Sequence, residues 1–161
     1  MKTLLACVFA LFFTACSVMT TTQSSLPHNE DESVKITLSV FALENYTDTP
    51  QAGMRASNIA EGVLLTKGFN VINHISTTPE DFQKKLSFAK HDKSQYMLMG
   101  GVSEWRYKTG IDGEPAISLQ MRLVETNSSK TIWSSTASDN SWGNASIGTV
   151  AHSLIESMLS H

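Results

Sequence analysis

Cysteine is scarce in this chain. The sequence has only Cys7 and Cys16, both within the first sixteen residues. The five histidines never occur as a pair four residues apart, the spacing that places two metal ligands on one helix face. Because no cysteine lies further along the chain to complete a ligand set, we expect no metal site and no cofactor.

Signatures of catalysis are also missing. The sequence has neither a Gly-x-Ser-x-Gly elbow nor a Walker-type phosphate loop. Asp112 and Glu114 could in principle act as an acid and a base, but a Gly-rich turn is a poor place to hold carboxylates rigid and partly desolvated. We therefore predict that the protein is not an enzyme. A formal net charge of −3 also argues against nucleic acid as a partner.

The first sixteen residues have the pattern of a bacterial lipoprotein signal. Lys2 precedes an apolar run over residues 4–13, and Thr14 and Ala15 come directly before Cys16. Residues 4–7 also fit a lipoprotein cleavage site, but a signal that ended there would leave the export machinery almost no apolar segment, and such segments need roughly 7 to 15 residues. We predict a signal peptide over residues 1–15 and lipidation, with palmitate, at Cys16. The alternative is an ordinary signal peptide that leaves Cys16 as a free thiol.

Lipidation at Cys16 determines the expected compartment. Export leads to an oxidising environment, yet Cys7 would leave with the signal, so no disulfide forms within the chain and the fold must depend on its core. In Gram-negative bacteria, a residue other than Asp after the lipidated cysteine generally sends a lipoprotein to the outer membrane, and here that residue is Ser17. We expect a lipid anchor on the periplasmic face of the outer membrane. Removing Lys2 takes the formal charge from −3 to −4, so the mature chain is mildly acidic and would tolerate a cationic partner.

The remaining chain divides into a tether and one domain. Residues 16–33 are rich in Ser and Thr and have few apolar side chains to offset the entropy of ordering, so they predict a flexible tether. Residues 34–161 have the length of a single domain with one core.

Periodicity within this domain predicts an α/β fold in the order β-α-β-α-β-β-β-α. Alternating apolar residues predict strands over 34–40, 96–108, 117–125 and 131–138, with a short strand over 69–72. Helical spacing predicts helices over 56–64, after Thr78-Pro79, and over 147–158. Together these elements predict a mixed sheet of about five strands flanked by three helices. Which face each helix covers is left open.

Two features are unusual for such a domain. Residues 103–108 alternate large side chains with charges on one strand, which fits either a cross-strand pair beside a covered sheet face or a surface that contacts another subunit. Trp142 lies in the connection before the last helix, where it would either cap the core or rest among lipid headgroups.

Residues 100–116, GGVSEWRYKTGIDGEPA, resemble the PelC family of outer-membrane lipoproteins from Pel exopolysaccharide export. Residues 45–53 with Arg55, Trp133-Ser134 and residues 141–143 share this resemblance, which extends from about Val40 onward. The resemblance implies a non-catalytic periplasmic lipoprotein that forms a dodecameric ring beneath the outer-membrane porin PelB. Such a ring would guide a cationic amino-sugar polysaccharide to the porin during export of the biofilm matrix.

The resemblance also implies roles for individual residues. An acidic surface that guides the polymer would include Asp48, Asp112 and Glu114, and Trp142 would contact the membrane. The subunit interface would lie on one strand, at Glu104, Trp105, Arg106 and Tyr107.

The alternative function is a monomeric lipoprotein module that activates a periplasmic synthase, as in the LpoB family. Ring formation separates the two functions, because an activator has no need of a ring. A hydrolase acting on a periplasmic polymer is a third class, and it would need a concave site with perturbed carboxylates.

Overall fold

The computed structural model describes residues 19–28, 34–109, 113–140 and 145–160. The strands are β1 Met19–Gln23, β2 Thr37–Phe41, β3 Glu44–Asn45, β4 Asn70–His74, β5 Tyr96–Tyr107, β6 Pro115–Glu125 and β7 Thr131–Asn140. The helices are α1 Ala52–Thr66, α2 Phe82–His91 and α3 Ile147–Met158, and a 3-10 turn covers Ile75–Thr77.

The strands form one mixed sheet, which confirms the predicted α/β fold with three helices. The strand order is β1-β7-β6-β5-β2-β4, and β3 pairs with β5 beside β2. Strand β2 runs parallel to both β4 and β5, whereas β5, β6 and β7 form an antiparallel meander. The sheet has seven described strands, not about five, because β1 and β3 were not expected.

Strand β1 lies within residues 16–33, the segment predicted to be a flexible tether. It pairs antiparallel with β7 from Met19 opposite Ser138 to Gln23 opposite Ser134. Threonine is β-branched and favours extended backbone, and β7 would otherwise present an unpaired edge. The expectation of a flexible tether is therefore wrong for these five residues. Residues 29–33 of the same segment lie outside the described residues.

The helices cover both faces of the sheet. Helices α1 and α3 pack on one face, where Leu38, Leu98 and Leu119 join the main core. Helix α2 packs on the other face through Leu86 and Ala89, against a smaller cluster that includes Phe41, Met97, Met99 and Val124. Successive strand residues point to opposite faces, so Leu98 and its neighbour Met97 belong to different clusters.

Helix α2 lies over β2 and β5. On the same face of the sheet, among the described residues, a polar area on β6 and β7 is left uncovered. We call this surface the open face. Its side chains come from alternate positions of β6 and β7, which pair with one another: Ser118, Gln120, Arg122, Ser134, Thr136 and Ser138.

Candidate functional site

The predicted acidic residues differ in their surroundings. Asp48 is exposed in the loop between β3 and α1. The Glu114 side chain is 14% exposed, and its carboxylate lies 3.8 Å from the Lys108 ammonium, so part of its charge is balanced within the chain. Asp112 lies outside the described residues, as do Cys16 and Trp142.

The strand predicted to build the subunit interface has mixed exposure. Arg106 pairs with Glu104 on the same strand, with 2.8 Å between Nη2 and Oε1, and the Arg106 side chain is 57% exposed. Tyr107 is exposed, and its hydroxyl accepts a hydrogen bond from the Ile147 amide at 3.1 Å. Trp105 is only 2% exposed and belongs to the main core. The assignment of Trp105 to an interface is therefore wrong, because its strand position points the ring beneath α1 and α3.

Two adjoining grooves lie beside Tyr46, a residue for which the sequence predicted no role. The first groove, of about 420 Å³, crosses the open face. The second, of about 460 Å³, follows the end of β5 and includes Asp48 of the predicted acidic surface. Besides Tyr46, the polar side chains that line the first groove are Glu44, Gln120, Arg122, Thr131, Ser134 and Thr136. Those that line the second groove are Thr47, Asp48, Thr49, Ser103, Glu104, Arg106 and Ser118. Glu114 does not line either groove.

Tyr46 is held in a fixed position between the grooves. Its amide donates to the Val102 carbonyl at 2.9 Å, and its hydroxyl donates to the Glu44 carboxylate. The ring lies against Gly101, where an added Cβ would come within 2.6 Å of the Tyr46 Cε2 atom. The hydrogen bond to Glu44, followed by the negative charge of the same group, raises the pKa of Tyr46, so its hydroxyl stays protonated.

Glu44 is itself supported from α2. The Lys85 side chain is 4% exposed, and its ammonium lies 3.8 Å from the Glu44 carboxylate. A buried ammonium needs a nearby opposite charge, so this contact favours one position of Glu44. One feature of the sequence could have indicated this site: an aromatic residue in a polar turn, with a Gly-Gly pair at Gly100 and Gly101 further along.

A second polar cluster joins α2 to the sheet. The Nε2 atom of His74 lies 2.5 Å from the Asp92 carboxylate, and the His74 ring stacks on Phe41 with 5.2 Å between ring centroids. Ser39 donates to the same carboxylate at 3.4 Å. A nucleophilic serine would have to contact the histidine that acts as its base. Because Ser39 contacts Asp92 instead, this cluster has the arrangement of a structural clamp.

The clamp predicts a pH-dependent contribution to stability. Burial raises the pKa of Asp92, but the hydrogen bonds from His74 and His91 and the charge interactions with the same two rings together outweigh burial, and the pKa lies below its ordinary value. A lowered folded pKa means that the stabilisation is fully present above the unfolded pKa of about 4 and is lost as the pH falls through the lower folded value.

Asp92→Asn is therefore expected to lower the free energy of unfolding by about 1 to 2 kcal/mol at neutral pH. The gap between variant and natural protein should narrow as the pH falls below about 4. Urea unfolding of both proteins over a series of pH values measures this gap. A gap that stays constant throughout the series would contradict the contribution assigned to Asp92.

Other kinds of site have no support in the described part of the chain. No three His, Cys, Asp or Glu side chains among the described residues are placed to hold a metal ion. Among the same residues, every helix is too short or too polar to cross a membrane.

Comparison with solved structures identifies close relatives of this fold. A PelC dodecamer from Paraburkholderia phytofirmans superposes with a TM-score of 0.78 and 32% identity, covering 89% of this chain and 96% of that chain. A variant of that PelC dodecamer gives a TM-score of 0.75 and 31% identity, covering 91% of this chain and 96% of that chain. The lipoprotein GNA1162 from Neisseria meningitidis shares the fold at a TM-score of 0.53 and 19% identity, over 78% of this chain and 99% of that chain. No protein-family model and no curated protein matches the sequence.

Proposed function

This chain belongs to the PelC family, and from that membership we propose that it is a ring-forming lipoprotein that guides an exopolysaccharide across the outer membrane. The observation that carries the proposal is the extent of the match. The alignment covers 96% of a PelC chain whose structure is a dodecamer, so the surfaces available for assembly belong to the same fold. We propose a dodecameric ring of this chain as well.

The proposed substrate is a cationic amino-sugar polymer. A ring repeats each acidic side chain once in every subunit, so Asp48 on one loop becomes a circle of charge. A shallow negative field raises the local concentration of a polycation without holding it tightly, and salt weakens the attraction. Glu114 contributes less than an isolated carboxylate because Lys108 lies beside it. Asp112 completes the proposed acidic surface.

The proposed location is the periplasmic face of the outer membrane, beneath the porin PelB. Lipidated Cys16 anchors the chain, and Trp142 rests among the headgroups, where the amphipathic indole ring is favoured. With Trp105 assigned to the core, the proposed subunit interface keeps Glu104, Arg106 and Tyr107, which retain side-chain exposure at the end of β5.

Deleting the gene that encodes this chain tests the proposed function directly. We expect the polymer still to be made, to accumulate in the periplasm and to disappear from the cell surface. The natural chain should restore surface polymer, whereas Ser17→Asp, a lipidated variant directed to the inner membrane, should not. Fractionation followed by detection of the polymer measures the outcome. Normal surface polymer in the deletion strain, with weakened peptidoglycan synthesis, would instead support an activator of a periplasmic synthase.

A further inference from the structure

We infer that Tyr46 and the two grooves beside it form a subsite that binds one sugar unit of a polysaccharide by stacking on its ring. The inference rests on the proposed function for the class of polymer, but the site itself is argued from the geometry of Tyr46. The subsite would recognise individual sugar rings by direct contact, whereas the proposed acidic surface attracts the polymer by charge alone.

The Tyr46 ring offers an apolar face in a polar surrounding. Tyr46 is 65% exposed, although an exposed aromatic ring usually turns toward apolar neighbours. The absence of a side chain at Gly101 lets the ring lie close against the strand. The bond to Glu44 and the contact of Glu44 with Lys85 fix the other end of the ring. A fixed ring loses little conformational entropy when a ligand stacks on it.

The groove walls supply the polar groups that a stacked sugar requires. A sugar has an apolar face of C–H groups and a rim of hydroxyls that both donate and accept hydrogen bonds. Gln120 and Arg122 present an amide and a guanidinium on one side of Tyr46, and Ser103 and Ser118 present hydroxyls on the other. The Ser103 and Ser118 hydroxyls lie 3.1 Å apart, so they form a short polar row along the groove.

The two grooves differ in charge and therefore favour different chemical groups of a bound sugar. The groove with Asp48 and Glu104 favours an ammonium group, although Arg106 balances part of the charge of Glu104. Arg122, in the other groove, disfavours an ammonium group and favours hydroxyl or acetamide oxygens. The subsite is therefore expected to accept a hexosamine whose amino group faces Asp48.

Glu104 and Arg106 belong both to the second groove and to the proposed subunit interface, so this groove borders that interface. Around Tyr46 itself, a polysaccharide fits the surface better than a second copy of the chain. The buried centre of a protein interface is depleted in aspartate, glutamate and serine. Residues of these types line both grooves: Glu44 and Ser134 in the first, and Asp48, Ser103 and Ser118 in the second. Trp105 also lines the second groove but is almost fully buried, so Tyr46 is the exposed aromatic ring among the described residues of the grooves. A single exposed ring among hydroxyls, an amide and carboxylates matches a carbohydrate contact.

Isothermal titration of the full-length chain in detergent tests the inference with three probes. These are a glucosamine hexamer, a neutral N-acetylglucosamine hexamer and polylysine. Tyr46→Ala should weaken binding of both sugar hexamers about tenfold and leave polylysine binding unchanged. Tyr46→Phe should keep most of the affinity, because the ring remains. Phe88→Ala, which removes an exposed aromatic ring of α2 away from the grooves, is the matched control and should bind as the natural chain does.

Gly101→Ala is a second variant that keeps Tyr46 but displaces its ring, since the new Cβ would meet Tyr46 before any other side chain. It should weaken sugar binding as Tyr46→Ala does. The inference is overturned if both variants bind the hexamers normally, if the natural chain binds neither hexamer, or if Tyr46→Ala changes the subunit number, which would make Tyr46 an interface residue. Tyr46-dependent binding of the neutral hexamer, with no binding of polylysine or the glucosamine hexamer, would preserve the subsite and contradict the acidic guiding role.

Discussion

Replacing Asp48, Asp112 and Glu114 together, as Asp48→Asn, Asp112→Asn and Glu114→Gln, is expected to abolish surface polymer while the protein remains folded and assembled. Each substitution removes one negative charge from every subunit, so a ring loses the field that concentrates a cationic chain. Asp48 is exposed, and glutamine keeps the size of the Glu114 side chain, which is 14% exposed, so these two substitutions are expected to change the free energy of unfolding by at most about 1 kcal/mol each. The loss should therefore reflect guidance and not folding.

A matched variant tests whether the position of the acidic residues matters or only the total negative charge of the subunit. Replacing Glu61, Glu80 and Glu156 with glutamine removes the same number of charges elsewhere. Glu61 lies on α1, Glu80 lies in the loop that precedes α2, and Glu156 lies on α3. This control is expected to export polymer normally. Surface polymer, thermal unfolding and subunit number are measured for both variants. Normal export by a folded, assembled variant lacking Asp48, Asp112 and Glu114 would contradict the proposed acidic surface.

Trp133→Ala is expected to give the largest loss of stability, about 3 to 5 kcal/mol, because it empties a large volume from the core. Trp133 is 1% exposed and belongs to the cluster that α1 and α3 cover. The midpoint of thermal unfolding should fall by roughly 10 to 20 °C. Surface polymer should fall as well, but through loss of folded protein.

Trp133→Phe is the control for this substitution. No hydrogen-bond acceptor among the described residues reaches the Trp133 indole nitrogen, so replacing the indole with a phenyl ring also removes an unpaired buried donor. We expect Trp133→Phe to cost clearly less stability than Trp133→Ala. Thermal denaturation of both variants measures the difference. A midpoint for Trp133→Ala within a few degrees of the natural protein would show that Trp133 is not central to the core.

The sequence predicted the long elements well because their periodicity is strong. Strand β6 alternates apolar and polar residues, and α3 carries one apolar stripe, so their side chains had one consistent environment. The start of α2 differs from the prediction of a helix directly after Thr78-Pro79. Asp81 caps the helix by accepting from the Lys84 amide at 3.0 Å, while Thr78 accepts from the Ala42 amide. Local signals cannot reveal that distant partner.

The missing parts of the prediction all depend on long-range contacts. Strand β1 is stabilised by pairing with β7, more than a hundred positions away in the chain, and its own composition resembles a linker. Trp105 follows a bulge between Val102 and Glu104 of β5, and no local pattern shows that its ring enters the core. Tyr46 obtains its position from Gly101 and Glu44, so the groove site exists only in the folded chain.

The most direct test of the proposed ring is the mass of the full-length lipidated chain, extracted from membranes in detergent and measured by native mass spectrometry at several concentrations. We expect one closed assembly of twelve subunits whose size does not change with concentration. A monomer at every concentration would contradict the ring and the acidic surface that depends on it.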